Sequence, residues 1–120
     1  MSDVFVFGSN LQGRHGKGAA LHALKYFGAI YGIGEGRQGN SYAIPTKETP
    51  YKSLPLVDIQ KHINKFFDHA KEKYWESFHV TPIGCGLAGY TPKEIAPMFR
   101  NAPENINLPQ SFLDILNEIS

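Results

Sequence analysis

The apolar positions along the chain fall into short continuous runs and one long periodic stripe. Val4-Phe5-Val6-Phe7 is an unbroken apolar run bounded by Gly8, the pattern of a strand buried on both faces. From Gly18 to Phe27 the spacing changes. Ala20, Leu24 and Phe27 stand at i, i+4 and i+7, which predicts a short helix with those three on its inner face and Gly28 closing it. Residues 28–40 contain five glycines and little periodicity, and read as loop. Ser41–Pro45 reads as a second strand. The strongest signal follows: Leu56, Ile59, Ile63, Phe66, Phe67, Ala70 and Tyr74 form one stripe, with Asp58, Lys61, Lys65, Asp68 and Lys71 on the rest of the circumference. That is an amphipathic helix.

Phe78–Ile83 reads as a third strand running into the turn GCGLAGY. Thr91-Pro92-Lys93-Glu94 carries a helix start, with Thr as the cap, Pro at the first position and Glu three residues after the cap. Ile95, Met98 and Phe99 give that helix an apolar face. A last helix begins near Pro109 and buries Phe112, Leu116 and Ile119. Strands alternating with helices predict a compact α/β sandwich with a mostly parallel sheet. No repeat, linker or low-complexity tract divides residues 1–120, so they read as a single domain.

Composition narrows the class. A chain that is 42% hydrophobic and 12% aromatic folds rather than staying disordered. Twelve basic side chains against eleven acidic ones leave a net charge of +1, so whole-chain charge carries no strong nucleic-acid signature and no attraction to anionic membrane. No apolar stretch approaches the ~18 residues needed to span a bilayer. The opening MSDVFVFGSN has no basic segment or long apolar core of a signal peptide, and the single cysteine, Cys85, excludes an internal disulfide framework. A cytoplasmic protein without membrane contact is the expectation.

The glycines say where the chemistry lies. All twelve fall in three loops: four between Gly8 and Gly18, five between Gly28 and Gly39, and three between Gly84 and Gly89. Two of these loops follow predicted strands and lead into helices. In an open parallel sheet such loops gather at the carboxyl ends of the strands, where ligands bind. Glycine there lets backbone N–H groups close on an anion, and a helix N-terminus adds about 0.3–1 kcal/mol per exposed anionic contact. Two such loops side by side form a clasp for a diphosphate. Neither familiar nucleotide motif fits. Gly16-Lys17 is followed by Gly18 where a triphosphate loop needs Ser or Thr, and Leu11 stands where its first glycine belongs. The dinucleotide fingerprint fits Gly16 and Gly18 and then meets Leu21.

Other chemistry-bearing residues have plainer readings. His62 and His69 lie two turns apart on the polar face of the long helix, with nothing acidic to complete a metal site, and read as solvated. His15 and His22 flank the first loop and serve either ligand or scaffold. Arg14, Lys17 and Arg37 are cations within glycine loops, able to reach a phosphate or to remain in solvent. Cys85 has no activating partner in sequence and reads as a small buried residue rather than a nucleophile. No metal and no cofactor is expected.

Taken together, "GRHGKGAALHALKYFG" after a strand ending in Asn10, and much later "IGCGLAGYTPKEIAPMF", resemble a macro domain, the ADP-ribose-binding fold. The nearest branch is that of terminal ADP-ribose glycohydrolases and the antitoxins that remove ADP-ribose from DNA. The likeness covers roughly residues 3–28 and 78–99, and the GCGL segment is its more specific part. It implies a three-layer α/β/α sandwich whose usual first strand is lacking, and ADP-ribose or an ADP-ribosylated macromolecule as partner. By the same resemblance Asn10 meets the distal ribose, and Gly8 and Ser9 before it count among the ligand-binding residues. Gly16, Lys17 and Gly18 line that ribose and the neighbouring phosphate. Gly84, Cys85, Gly86, Leu87, Ala88, Gly89 and Tyr90 form the diphosphate loop ahead of the Thr91-capped helix.

Departures from that family leave catalysis open. The acid that recognises adenine has no counterpart here, and the catalytic Asp that follows G-C-G-L in the glycohydrolase branch is Ala88. The branch also places a catalytic lysine on the first helix, which in this chain corresponds to Lys25. Glu35 is the one acid inside the glycine loops and stands either as a general acid or base or as a solvated loop residue. The expectation is a binder of ADP-ribose or a related nucleotide diphosphate, with removal of ADP-ribose from a modified target left open. A hydrolase of ADP-ribosyl or other nucleotide-linked bonds, and a ligand-free interaction domain, are the alternatives.

Overall fold

The computed structural model describes residues 2–118. Its strands are β1 (Asp3–Asn10), β2 (Gly36–Gln38), β3 (Ser41–Thr49), β4 (Lys52–Ser53), β5 (Ser77–Val80) and β6 (Ile106–Asn107). Its α-helices are α1 (Gly18–Tyr26), α2 (Leu56–Glu72), α3 (Pro92–Ile95) and α4 (Gln110–Glu118), with a 3₁₀ turn over Ala96–Phe99 extending α3. The sheet runs β2-β3-β1-β5-β6, and β4 pairs with β3. The pairs β1–β3, β1–β5 and β5–β6 are parallel, whereas β2 and β4 pair antiparallel to β3. The sheet is therefore mixed: its longer pairings are parallel, as expected, and two short antiparallel strands are added to β3. The two short antiparallel strands cover successive halves of the outer edge of β3. None of the helices among the described residues is long and apolar enough to cross a membrane.

Alternation along β1 divides the core. Val4 and Val6 join Tyr42 and Ile44 of β3 against α2, α3 and α4, where Ile59, Ile63, Phe66, Phe99 and Phe112 are buried. Phe5 and Phe7 point the other way, toward Ala20 and Ala23 of α1 and Ala43 of β3. The apolar run of β1 is thus explained by helices packed on both faces of its strand.

Several elements differ from the sequence reading. On α1 the residue fully buried is Ala23, and Leu24 is only half-buried: the inner face is cut for small residues lying close on Phe7. Tyr74 falls past the end of α2 and is 78% exposed, so the stripe ends at Ala70. The third strand stops at Val80, because the backbone turns away through Thr81-Pro82. The loop at 28–40 contains β2, three residues too few to show a period. Of the three positions assigned to the last helix, Phe112 is buried and Leu116 half-buried, and Ile119 lies outside the described residues.

Candidate functional site

The carboxyl ends of β1 and β3 and the loop after β5 enclose a cavity of about 520 Å³, within the usual range for small-molecule sites of about 300–1,000 Å³. Its walls come from three directions. Gly8, Ser9 and Asn10 end β1 and lead through Arg14, Gly16 and Lys17 into the first turn of α1 at Gly18, Ala19 and Ala20. Thr46, Lys47, Pro50 and Tyr51 come from the end of β3 and the turn after it. Thr81, Pro82, Ile83, Gly84, Gly86, Leu87 and Ala88 come from the loop after β5.

Charge in the cavity is one-sided. Arg14, Lys17 and Lys47 line it, and none of the described residues that do so is acidic. Lys17 is the cap residue of α1, with no side-chain cap bond and no acid in the first turn. The helix N-terminus therefore keeps its partial positive charge and its unpaired N–H groups on the cavity side. The most enclosed of the cations is Lys47, only 9% exposed. Its Nζ donates to the Pro50 carbonyl at 3.0 Å, and burial, with the nearby charge of Lys17, pushes its pKa below the usual lysine value. The backbone explains its position. Register shifts between Ser9 and Asn10, so that Ser9 faces Pro45 while Asn10 faces Lys47. The residue skipped is Thr46, and both Thr46 and Lys47 line the cavity. Irregular pairing of this kind re-aims side chains beside a site.

Asn10 is buried at the cavity wall with its amide engaged on both sides. Its Nδ2 donates to the Arg14 carbonyl at 3.1 Å, and its Oδ1 accepts from the Arg14 N–H at 3.0 Å. The side chain clamps the turn that presents Arg14, leaving one N–H and one lone pair for a ligand. In the second loop, the N–H groups of Cys85, Gly89 and Tyr90 are consumed by the Pro82, Gly86 and Gly84 carbonyls, respectively. Those three residues do not line the cavity, whereas the tip residues Gly86, Leu87 and Ala88 do. A Cβ added at Gly16 or Gly86 would meet nothing within 4 Å, so at these two positions neither packing nor a left-handed backbone calls for glycine.

Of the residues singled out in sequence, Gly8, Ser9, Asn10, Arg14, Gly16, Lys17, Gly18, Gly84, Gly86, Leu87 and Ala88 converge on the cavity. The rest have other places. Lys25 sits with His22 and Tyr26 on a separate shallow groove of α1, because it projects from the side of the helix away from Ala20 and Ala23. Glu35 is held at 2.5 Å by His62 Nδ1 and at 3.4 Å by Lys65 Nζ of α2. Arg37 forms a two-pronged pair with Glu76, at 2.8 and 2.9 Å, and lies far from any phosphate role.

The histidines are also partnered rather than solvated. His62 meets Glu35, and His69 packs against Tyr42 and Phe78 beside Arg37. Burial first, then the Arg37 and Lys73 charges, hold the His69 pKa below its ordinary value. His15 is fully buried, with Nε2 at 2.9 Å from the Ile33 carbonyl and its ring edge-on to Phe7, a scaffold role. The Cys85 thiol is half-buried, and burial, with the Glu94 charge, raises its pKa away from thiolate chemistry. Among the described residues no group of three or more His, Cys, Asp and Glu side chains could hold a metal.

The wall that sequence reasoning missed is the end of β3. Ending that strand at Pro45 left Thr46, Lys47, Pro50 and Tyr51 unassigned. The available signal was a lysine continuing a strand-like run without a break, in SYAIPTKET. No family model, curated protein or solved structure matches the chain.

Proposed function

We propose that this chain binds ADP-ribose or a related nucleotide diphosphate in the cavity between its two glycine loops. The observation that carries the reading is the lining itself: three cations, a helix N-terminus and open-faced glycines, with no carboxylate among the described lining residues. A diphosphate is the group such a lining suits, since a free N-terminal turn and a glycine-rich tip both aim N–H donors at oxygen anions. In the three-layered, macro-domain-like arrangement we infer, the Gly16-Lys17-Gly18 turn and the Gly86–Ala88 tip hold the two phosphates. Asn10 then offers its remaining amide hydrogen to the distal ribose.

Binding is favoured over hydrolysis because neither Lys25 nor Glu35 reaches the cavity and no other described acid lines it. One observation favours the hydrolase reading: the cavity does hold a buried lysine of depressed pKa, Lys47, the kind of amine that serves in nucleophilic or acid–base roles. Calorimetric titration with ADP-ribose tests the binding reading, and absence of heat overturns it. Incubation with ADP-ribosylated protein, ADP-ribosylated DNA and ADP-ribose 1″-phosphate tests turnover. Release of ADP-ribose by the wild type but not by Lys47→Ala makes the protein a hydrolase.

A further inference from the structure

The cavity has a second chemical character at its mouth. Tyr51, in the turn between β3 and β4, is 93% exposed and Leu87, on the tip of the second loop, is 66% exposed, yet both line the cavity. Other exposed aromatics have company: Tyr26 packs on His22, Tyr31 on His15, and Tyr74 on Trp75. Among the described residues no ring packs on Tyr51, so its aromatic face is bare at the cavity mouth. The two rims are also tied together. Ser53 Oγ donates to the Ala88 carbonyl at 2.6 Å, and Tyr90 Oη donates to the Leu54 carbonyl at 2.6 Å. The turn bearing Tyr51 and the tip bearing Leu87 are therefore held in fixed relation before any ligand arrives.

We propose that Tyr51, with Leu87 at the same opening, is the stacking surface for the nucleobase of the bound nucleotide. This rests on the reading of the cavity as a nucleotide diphosphate site and says which end of the ligand faces out. The cations Lys47, Arg14 and Lys17 take the phosphates inside, and an unpaired aromatic ring at the rim takes a flat, weakly hydrated group. A nucleotide joins those two chemistries in one molecule, whereas a sugar phosphate or free diphosphate has no use for the second. Stacking of this kind tolerates any base, because every base presents a π face.

The test compares ADP, ADP-ribose and inorganic pyrophosphate by calorimetry on the wild type, Tyr51→Ala and Tyr51→Phe. Tyr51→Ala weakens ADP and ADP-ribose about tenfold or more, leaves pyrophosphate unchanged, and Tyr51→Phe restores both nucleotides. At 93% exposure the substitution leaves folding intact. If the wild type binds ADP and Tyr51→Ala binds it equally well, or if all three ligands weaken together, the stacking proposal is overturned while the cavity reading stands. If the wild type binds none of the three, the cavity reading itself falls, and the stacking proposal with it.

Discussion

A Cβ built on Gly34 would sit 2.3 Å from the Asn10 carbonyl oxygen, and one on Gly13 would sit 2.3 Å from the Gly32 backbone. At Gly16 and Gly86 it would meet nothing. The same residue type thus does two jobs: close approach of one loop to another, and open access for a ligand. Gly34→Val is expected to destabilise by about 1–3 kcal/mol or more through forced backbone movement, read by urea denaturation. Gly86→Val is expected to fold as the wild type does while ligand affinity drops at least tenfold.

Lys47 separates function from stability in another way. Its charge is buried near Lys17, so Lys47→Met removes an unfavourable burial and is expected to leave the unfolding midpoint unchanged or raised, with anion affinity lost. The pH sign follows from the same depression. Anion binding needs the ammonium form, and the amine deprotonates below the ordinary lysine pKa of about 10.4. Affinity therefore falls as pH rises through that lowered value, and titrations from neutral to alkaline pH check the fall. In Lys47→Met this part of the pH dependence is absent.

At the scale of elements, long periods were legible and short ones were not. The stripe of α2 announced itself because 17 residues repeat an apolar face, and β1 announced itself because helices on both sides demand an unbroken apolar run. β2, β4 and β6, at two or three residues each, carry no pattern of their own and exist because an edge or neighbouring strand supplies partners. The candidate site was half legible for the same reason. Glycine loops mark themselves by composition, whereas Lys47 and Tyr51 enter the wall through a register shift and a turn, which only the fold defines. His69 and Glu35 were misplaced because side chains 27 or more residues apart pair across α2.

That cross-element pairing has a measurable consequence. Glu76 is buried, and the hydrogen bond from Arg37 outweighs burial to hold its pKa low; the His69 pKa is also lowered. A group whose pKa is depressed by folding stabilises above its unfolded pKa and loses that contribution as pH falls through the folded value. Stability should therefore decline on acidification in two stages, the first beginning near the ordinary histidine pKa of about 6.5 and the second below the ordinary carboxylate pKa of about 4.3. Arg37→Ala is expected to cost about 1–3 kcal/mol at neutral pH, by leaving a buried acid without its donor, and to remove the second stage. Chemical denaturation across pH 3–8 checks both.

For the whole molecule, the division of labour is spatial. One end of the sheet collects the strand termini, the free start of α1 and every cavity-lining cation. The loop 28–39 supplies none of the described lining. It packs against the outside of the first glycine loop, where Gly32 N–H donates to the Gly13 carbonyl and Ser9 Oγ to the Gly34 carbonyl, and is braced to α2 by Glu35 and to Glu76 by Arg37. Binding between the two glycine loops is tested by titrating ADP-ribose by calorimetry into the wild type and into Gly86→Val. Saturable one-to-one binding to the wild type is expected, with at least a tenfold loss in a variant that unfolds at the same denaturant concentration. No heat with the wild type, or equal affinity in the two proteins, would contradict it.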